Sequence, residues 1–188
     1  MVILNAIQIL LNRFNMKQIL LAICTLVLFT PVANAQKVQK SPKSTLTQTV
    51  GTTDIQVVYS RPGLKGRTLE SLTPSGQVWR TGANEATTVS FSKPVKIGGK
   101  ELAAGNYSLY TIPSEAVWTI IINSKQSWGT NYSEDKDVLR FTVQAIKVNE
   151  ATETFTINIS DIANDGTKAN LELRWGNIIV KAPIEVTL

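Results

Sequence analysis

Arg80, Asn84 and Glu85 fall within six consecutive residues, beside Trp79, in the run Val78-Trp79-Arg80-Thr81-Gly82-Ala83-Asn84-Glu85-Ala86-Thr87-Thr88. A guanidinium and a carboxamide together can hold a carboxylate or a sugar hydroxyl, and a glutamate can act as acid or base. Polar groups of several kinds gathered on a loop are what a binding site needs. They are equally what a tight turn needs. In that case Arg80 pairs with Glu85, and Asn84 caps its own turn. Both readings stand at the level of sequence.

A second cluster surrounds Pro62 and Gly63. Arg61 and Arg67 flank it with Lys65 between them, so three cations on a short loop could grip an anion. The alternative is a solvated loop with ion pairs to Glu70, which contributes little. Four tryptophans supply the aromatic surface. Trp118 and Trp175 sit at apolar-face positions and read as core. Trp79 and Trp128 border loops and are the ones a sugar ring could stack on, unless they plug the rim of the core. The candidate ligand-binding residues are therefore Arg61, Arg67, Trp79, Arg80, Asn84, Glu85 and Trp128.

Composition removes much other chemistry. The chain has no histidine, and its one cysteine is Cys24. Ser-His-Asp and Cys-His catalysis are excluded, as are ordinary zinc, copper and haem sites. Asn131, Ser133, Asp135 and Asp137 recur at period two, so Asp135 and Asp137 are the residues a calcium ion would use. The loop lacks the mid-loop glycine and distal glutamate of a calcium-binding hand, so no metal is expected. No cofactor is expected either. Carboxylate chemistry of the glycosidase kind would need Glu85 with Glu134, Asp135 or Asp137, at a separation that the sequence does not fix.

The elements that must hold these residues begin after an export segment. Met16-Lys17 gives a start and a positive charge, residues 19–29 are almost wholly apolar, and Ala33-Asn34-Ala35 supplies small residues for cleavage. That is a secretory signal over residues 1–35, with residues 1–15 a start-site miscall. Ile23 before Cys24 does not fit a lipid-anchoring signal. The mature chain begins at Gln36, is periplasmic or extracellular, and contains no membrane span. It carries seventeen basic and fourteen acidic residues, a net charge of +3. The basic residues are scattered, without the stripe that nucleic acid requires.

Residues 36–44 read as a short polar tether, and 45–188 as a single domain. Within it, apolar residues alternate with polar ones in short runs: 45–50, 55–60, 88–92, 107–112, 117–122, 139–143, 155–159, 171–175, 178–180 and 184–188. Gly98-Gly99 reads as a hairpin turn, residues 69–72 as one helical turn, and Pro183 as a sheet edge or bend. Residues 117–122 are apolar on both faces, which marks a central strand. About nine or ten short strands without helical periodicity predict an all-β antiparallel sandwich or flattened barrel.

The sequence resembles an exported bacterial family known as domain of unknown function 2911. The likeness rests on Ser60-Arg61-Pro62, Lys65-Gly66-Arg67, residues 78–88, Ala104-Gly105-Asn106-Tyr107-Ser108-Leu109, Trp128-Gly129 and Asp135-Lys136-Asp137-Val138-Leu139. It covers residues 44–186 and implies a compact β-rich exported domain with no activity attached. Function therefore rests on the residues. They point first to non-catalytic recognition of a polar small molecule, a glycan or a cell-envelope component. A histidine-free hydrolase and a purely structural envelope protein are the alternatives.

Overall fold

The period-two alternation is realised as nine antiparallel strands in one sheet. A computed structural model describes residues 38–188. The expected signal peptide, its expected start at Met16 and Cys24 lie outside the described residues. The strands are β1 (Lys43–Val50), β2 (Thr53–Ser60), β3 (Thr87–Phe91), β4 (Val95–Ile97), β5 (Lys100–Leu102), β6 (Gly105–Ile112), β7 (Val117–Asn123), β8 (Asp137–Ser160) and β9 (Lys168–Val186). Their order across the sheet is β1-β2-β3-β6-β7-β8-β9-β4-β5. One helical turn, α1 (Leu69–Leu72), follows β2, and its N-cap Thr68 accepts a hydrogen bond from the Ser71 amide.

Alternation decides which faces are buried. In β2, Ile55, Val57 and Tyr59 point into the core while Asp54 and Gln56 face solvent. β7 breaks the alternation, with Ile120, Ile121 and Ile122 all buried, and it lies between β6 and β8 as a central strand should. β1 begins at Lys43, inside the stretch read as a tether, because the Pro42 carbonyl is already engaged by the Arg61 amide at 2.9 Å.

β8 and β9 depart from the expectation of short strands. β8 runs 24 residues and β9 runs 19. No glycine or proline interrupts residues 137–160, so the polar stretch around Asn149 and Glu150 does not end the strand. Gly176 and Pro183 are both absorbed within β9. β8 bends instead, through register shifts between Lys147 and Thr156. Its first half pairs with β7 and its second half with β9. The second half thereby packs across the core from β2. Tyr59 meets Phe155 edge-on at 5.8 Å, and its hydroxyl donates to the Ile157 carbonyl and accepts from the Ile157 amide.

Backbone beyond β2 closes a seam with β8. The Phe155 amide donates to the Pro62 carbonyl, and the Leu64 amide to the Glu153 carbonyl, both at 2.9 Å. Beneath this seam lies an aromatic cluster. Trp79 stacks on Trp175 at 5.5 Å and meets Phe155 and Trp118 at 5.0 and 6.2 Å. Truncating one such buried ring costs about 3–5 kcal/mol. The residues just after Trp79 inherit this rigidity.

Candidate functional site

Trp79 anchors the run that follows it. Its backbone exchanges two hydrogen bonds with Thr111, and its indole Nε1 donates to the Gly82 carbonyl. From there the chain makes a closed loop. The Thr87 amide donates to the Arg80 carbonyl, and the Thr87 hydroxyl to the Thr81 carbonyl at 2.5 Å. Two residues inside the loop have left-handed backbone, Thr81 at φ 54° and Asn84 at φ 58°. For a β-branched threonine this conformation is strained, at about 1–3 kcal/mol. Thr81 is held there, fully buried, with its hydroxyl on that of Thr111. Gly82 is required by close approach, because a Cβ there would stand 3.0 Å from both the Ser60 carbonyl and the Thr87 hydroxyl.

The reversal at Asn84 sends Arg80 and Glu85 to different places. They do not pair, and each lines its own cavity. A cavity of about 350 Å³ is lined by Glu85, Lys43, Thr88, Ser60, Ser127 and Trp128. A second, of about 340 Å³, is lined by Arg80, Arg67, Gln77, Thr130, Leu72 and Trp175. The two share their builders. Four chain segments line both cavities, each with a residue in one and a residue two positions away in the other: Lys43 and Ser41, Ser60 and Pro62, Glu85 and Ala83, Trp128 and Thr130. Asn84 joins two of these segments, with its amide on the Ser41 carbonyl and the Ser60 hydroxyl, both at 3.3 Å.

The chain belongs to the DUF2911 family. The family model, described as a protein of unknown function, matches residues 41–184 and so takes in both cavities. No curated protein and no solved structure matches the chain.

Within this DUF2911 domain the seven candidate residues separate by what already holds them. Arg61 donates to the Phe155 carbonyl and the Thr156 hydroxyl, so it fastens the seam. Arg67 donates to the Leu64 and Gly63 carbonyls of its own loop, with no ion pair to Glu70, whose carboxylate accepts from the Ser75 amide. Trp79 is 8 % exposed and, stacked on Trp175, has little surface left to offer the Arg80 cavity it lines. Asn84 is committed to the wall between the cavities. Arg80, Glu85 and Trp128 remain. Trp128 is 72 % exposed, and a single backbone bridge to Glu85 fixes its loop beside the first cavity.

Glu85 does not share a cavity with Glu134, Asp135 or Asp137, the acids it would have to pair with. Glu85 is the only carboxylate lining its cavity, while Glu134 and Asp137 line a shallow depression with Arg140 and Lys100. Asp137 is surrounded by donors from Asn123, Tyr132 and Arg140, and Asp135 pairs with Lys136. Among the described residues no three acidic side chains gather to hold a metal. A larger cleft of about 530 Å³ brings Glu70 and Glu115 together, but Glu115 pairs with Lys147. Lys43, Ser127, Gln77 and Thr130 line the two cavities without having been singled out in the sequence. Their only signal was nearness to the two loop tryptophans: Ser127 and Thr130 lie within two residues of Trp128 and Gln77 lies two before Trp79, while Lys43 carried none.

Proposed function

We propose that this DUF2911 domain is a non-catalytic recognition module for a polyhydroxylated ligand, a glycan or a cell-envelope component, met outside the cytoplasm. The observation that carries this is Trp128. A broad indole is 72 % exposed beside a cavity lined by Lys43, Glu85, Ser60 and Thr88. Neither Lys43 nor Glu85 takes part in an ion pair among the described residues. A sugar offers one apolar face to an indole and a ring of hydroxyls that need donors and acceptors together. An unpaired ammonium, an unpaired carboxylate and two hydroxyls supply both kinds. Glu85 has no second carboxylate in its cavity, which weighs against hydrolysis by a paired acid and nucleophile.

Intrinsic fluorescence tests the proposal. Trp79, Trp118 and Trp175 are at most 8 % exposed, so emission from a polar environment comes from Trp128. Titration with chito-oligosaccharides, cello-oligosaccharides and soluble peptidoglycan fragments should give a saturable blue shift with at least one of them. Trp128→Ala should abolish it, and Glu85→Gln should weaken it by about tenfold. A flat response to all three, or a response that survives Trp128→Ala, sinks the proposal.

A further inference from the structure

The other cavity carries a separate inference. Five arginines lie among the described residues, and four of them have acceptors. Arg61 and Arg67 bind carbonyls, Arg140 binds Asp137 and Glu134, and Arg174 binds Glu172. Arg80 has none. It is half-buried, its Nε is sealed from solvent, and that nitrogen has no hydrogen-bond partner among the described residues. Withdrawing a guanidinium donor from water without an acceptor is destabilising, and a purely structural arginine would have been given one. The backbone beside it is strained as well, at Thr81. Strain of this kind persists where the surrounding fold holds a side chain in place for another purpose.

We infer that this cavity binds a small organic anion, with its oxyanion on Arg80 and its apolar body on the Trp175 and Leu72 side. The polar lining is cationic or neutral throughout: Arg80, Arg67, Gln77 and Thr130, with no carboxylate to compete for an anion. Arg67 is already steadied by the Gly63 and Leu64 carbonyls, and a guanidinium has further donors beyond the two used there. With Nε sealed, the ligand would meet the terminal Nη pair, whose planar fork matches a carboxylate or phosphate edge with two parallel hydrogen bonds. Apart from the neutral Ser41 and Thr73, the rest of the lining is aromatic and aliphatic, and the volume of about 340 Å³ exceeds what a bare inorganic anion needs. A carboxylate or phosphate carried on a ring or short chain satisfies both halves. This inference is independent of the Trp128 cavity.

Benzoate is a suitable probe, with benzamide as its neutral counterpart and inorganic phosphate as a head group without a body. Thermal unfolding of the mature protein should shift upward by roughly 3–6 °C with benzoate at about ten times its Kd. Benzamide should give no shift, and phosphate a smaller one. Arg80→Met should abolish the benzoate shift while leaving the ligand-free midpoint unchanged or higher, since no protein acceptor loses its partner. Arg80→Lys, which keeps the charge and loses the fork, should weaken benzoate at least tenfold and provides the test should the methionine variant not fold. Trp128→Ala should leave the benzoate response intact. Equal shifts with benzoate and benzamide, no shift with either, or a benzoate shift that survives Arg80→Met would overturn the inference. A phosphate response as large as that of benzoate would overturn its apolar half.

Discussion

Arg140 and Arg80 sit on the same face of chemistry and are treated in opposite ways. Arg140 is exposed, yet it is ringed by acceptors. Its Nη1 reaches Glu134 at 3.2 Å, and its Nη2 reaches Asp137 at 3.0 Å and the Tyr132 hydroxyl at 2.7 Å. The Tyr132 hydroxyl in turn donates to Asp137 at 2.6 Å, and Asn123 donates to the other Asp137 oxygen. Arg80 is more enclosed, and among the described residues its side chain has no acceptor. Stability alone would produce the reverse, because a satisfied ion pair matters most where water is scarce. Where an arginine serves the fold, as Arg140 and Arg61 do, the chain supplies its partners. Where the partners are missing from a cavity, the fold is holding the side chain for something else.

The contrast breaks most readily at Asp137. Asp137→Ala strips acceptors from Asn123, Tyr132 and Arg140 at once, and about 2–3 kcal/mol of unfolding free energy should be lost. Urea denaturation measures this, and a loss within 0.5 kcal/mol, roughly the noise of a surface substitution, would mean the network is ornamental. Arg61→Met should come next, at about 1–2 kcal/mol, because two hydrogen bonds across the seam to Phe155 and Thr156 are lost. An effect no larger than that of Arg80→Met would erase the distinction between partnered and unpartnered arginines.

The smallest effect sharpens the comparison through pH. Burial of the Tyr132 hydroxyl, reinforced by its hydrogen bond to Asp137 and opposed by Arg140, pushes its pKa up to about 12. A raised pKa means the folded state holds the proton more tightly than the unfolded state does. The resulting stability is fully present below the ordinary tyrosine value of about 10 and is lost as pH rises through about 12. Denaturation at a series of alkaline pH values should show that decline, and Tyr132→Phe should flatten it. An unchanged slope in the phenylalanine variant would remove Tyr132 from the network's titration.

Much of the fold was legible because alternation is a local signal. β2, β6 and β7 follow from which residues are apolar, and the Gly98-Gly99 turn and the helical turn at 69–72 lie where their residues predict. The lengths of β8 and β9 were not legible. Asn149-Glu150, Gly176 and Pro183 each resemble a strand end, and only the partners across the sheet decide that the backbone continues. At the site, the run from Trp79 to Glu85 identified itself by its mixture of residue types. Its division did not. Whether Arg80 meets Glu85 depends on the backbone reversal at Asn84 and on the Ser41 and Ser60 groups that hold the amide there, and none of these is a local pattern.

The seam has a kinetic consequence. Its contacts join residues 94 and 98 positions apart, and the β1–β2 turn touches Thr187 across 135. Closing loops of that length precedes any reward from the contacts they bring together, which sets folding in the millisecond-to-second regime of sandwich-like topologies. Trp175 arrives late in the chain, and the half of β8 that packs on Tyr59 arrives only shortly before it. A nascent chain released short of residue 175 would already contain Arg80 and the whole signature run, but no floor beneath them. On the proposed reading, anion binding at Arg80 therefore requires synthesis to have passed Trp175, which lines that cavity and stacks on Trp79.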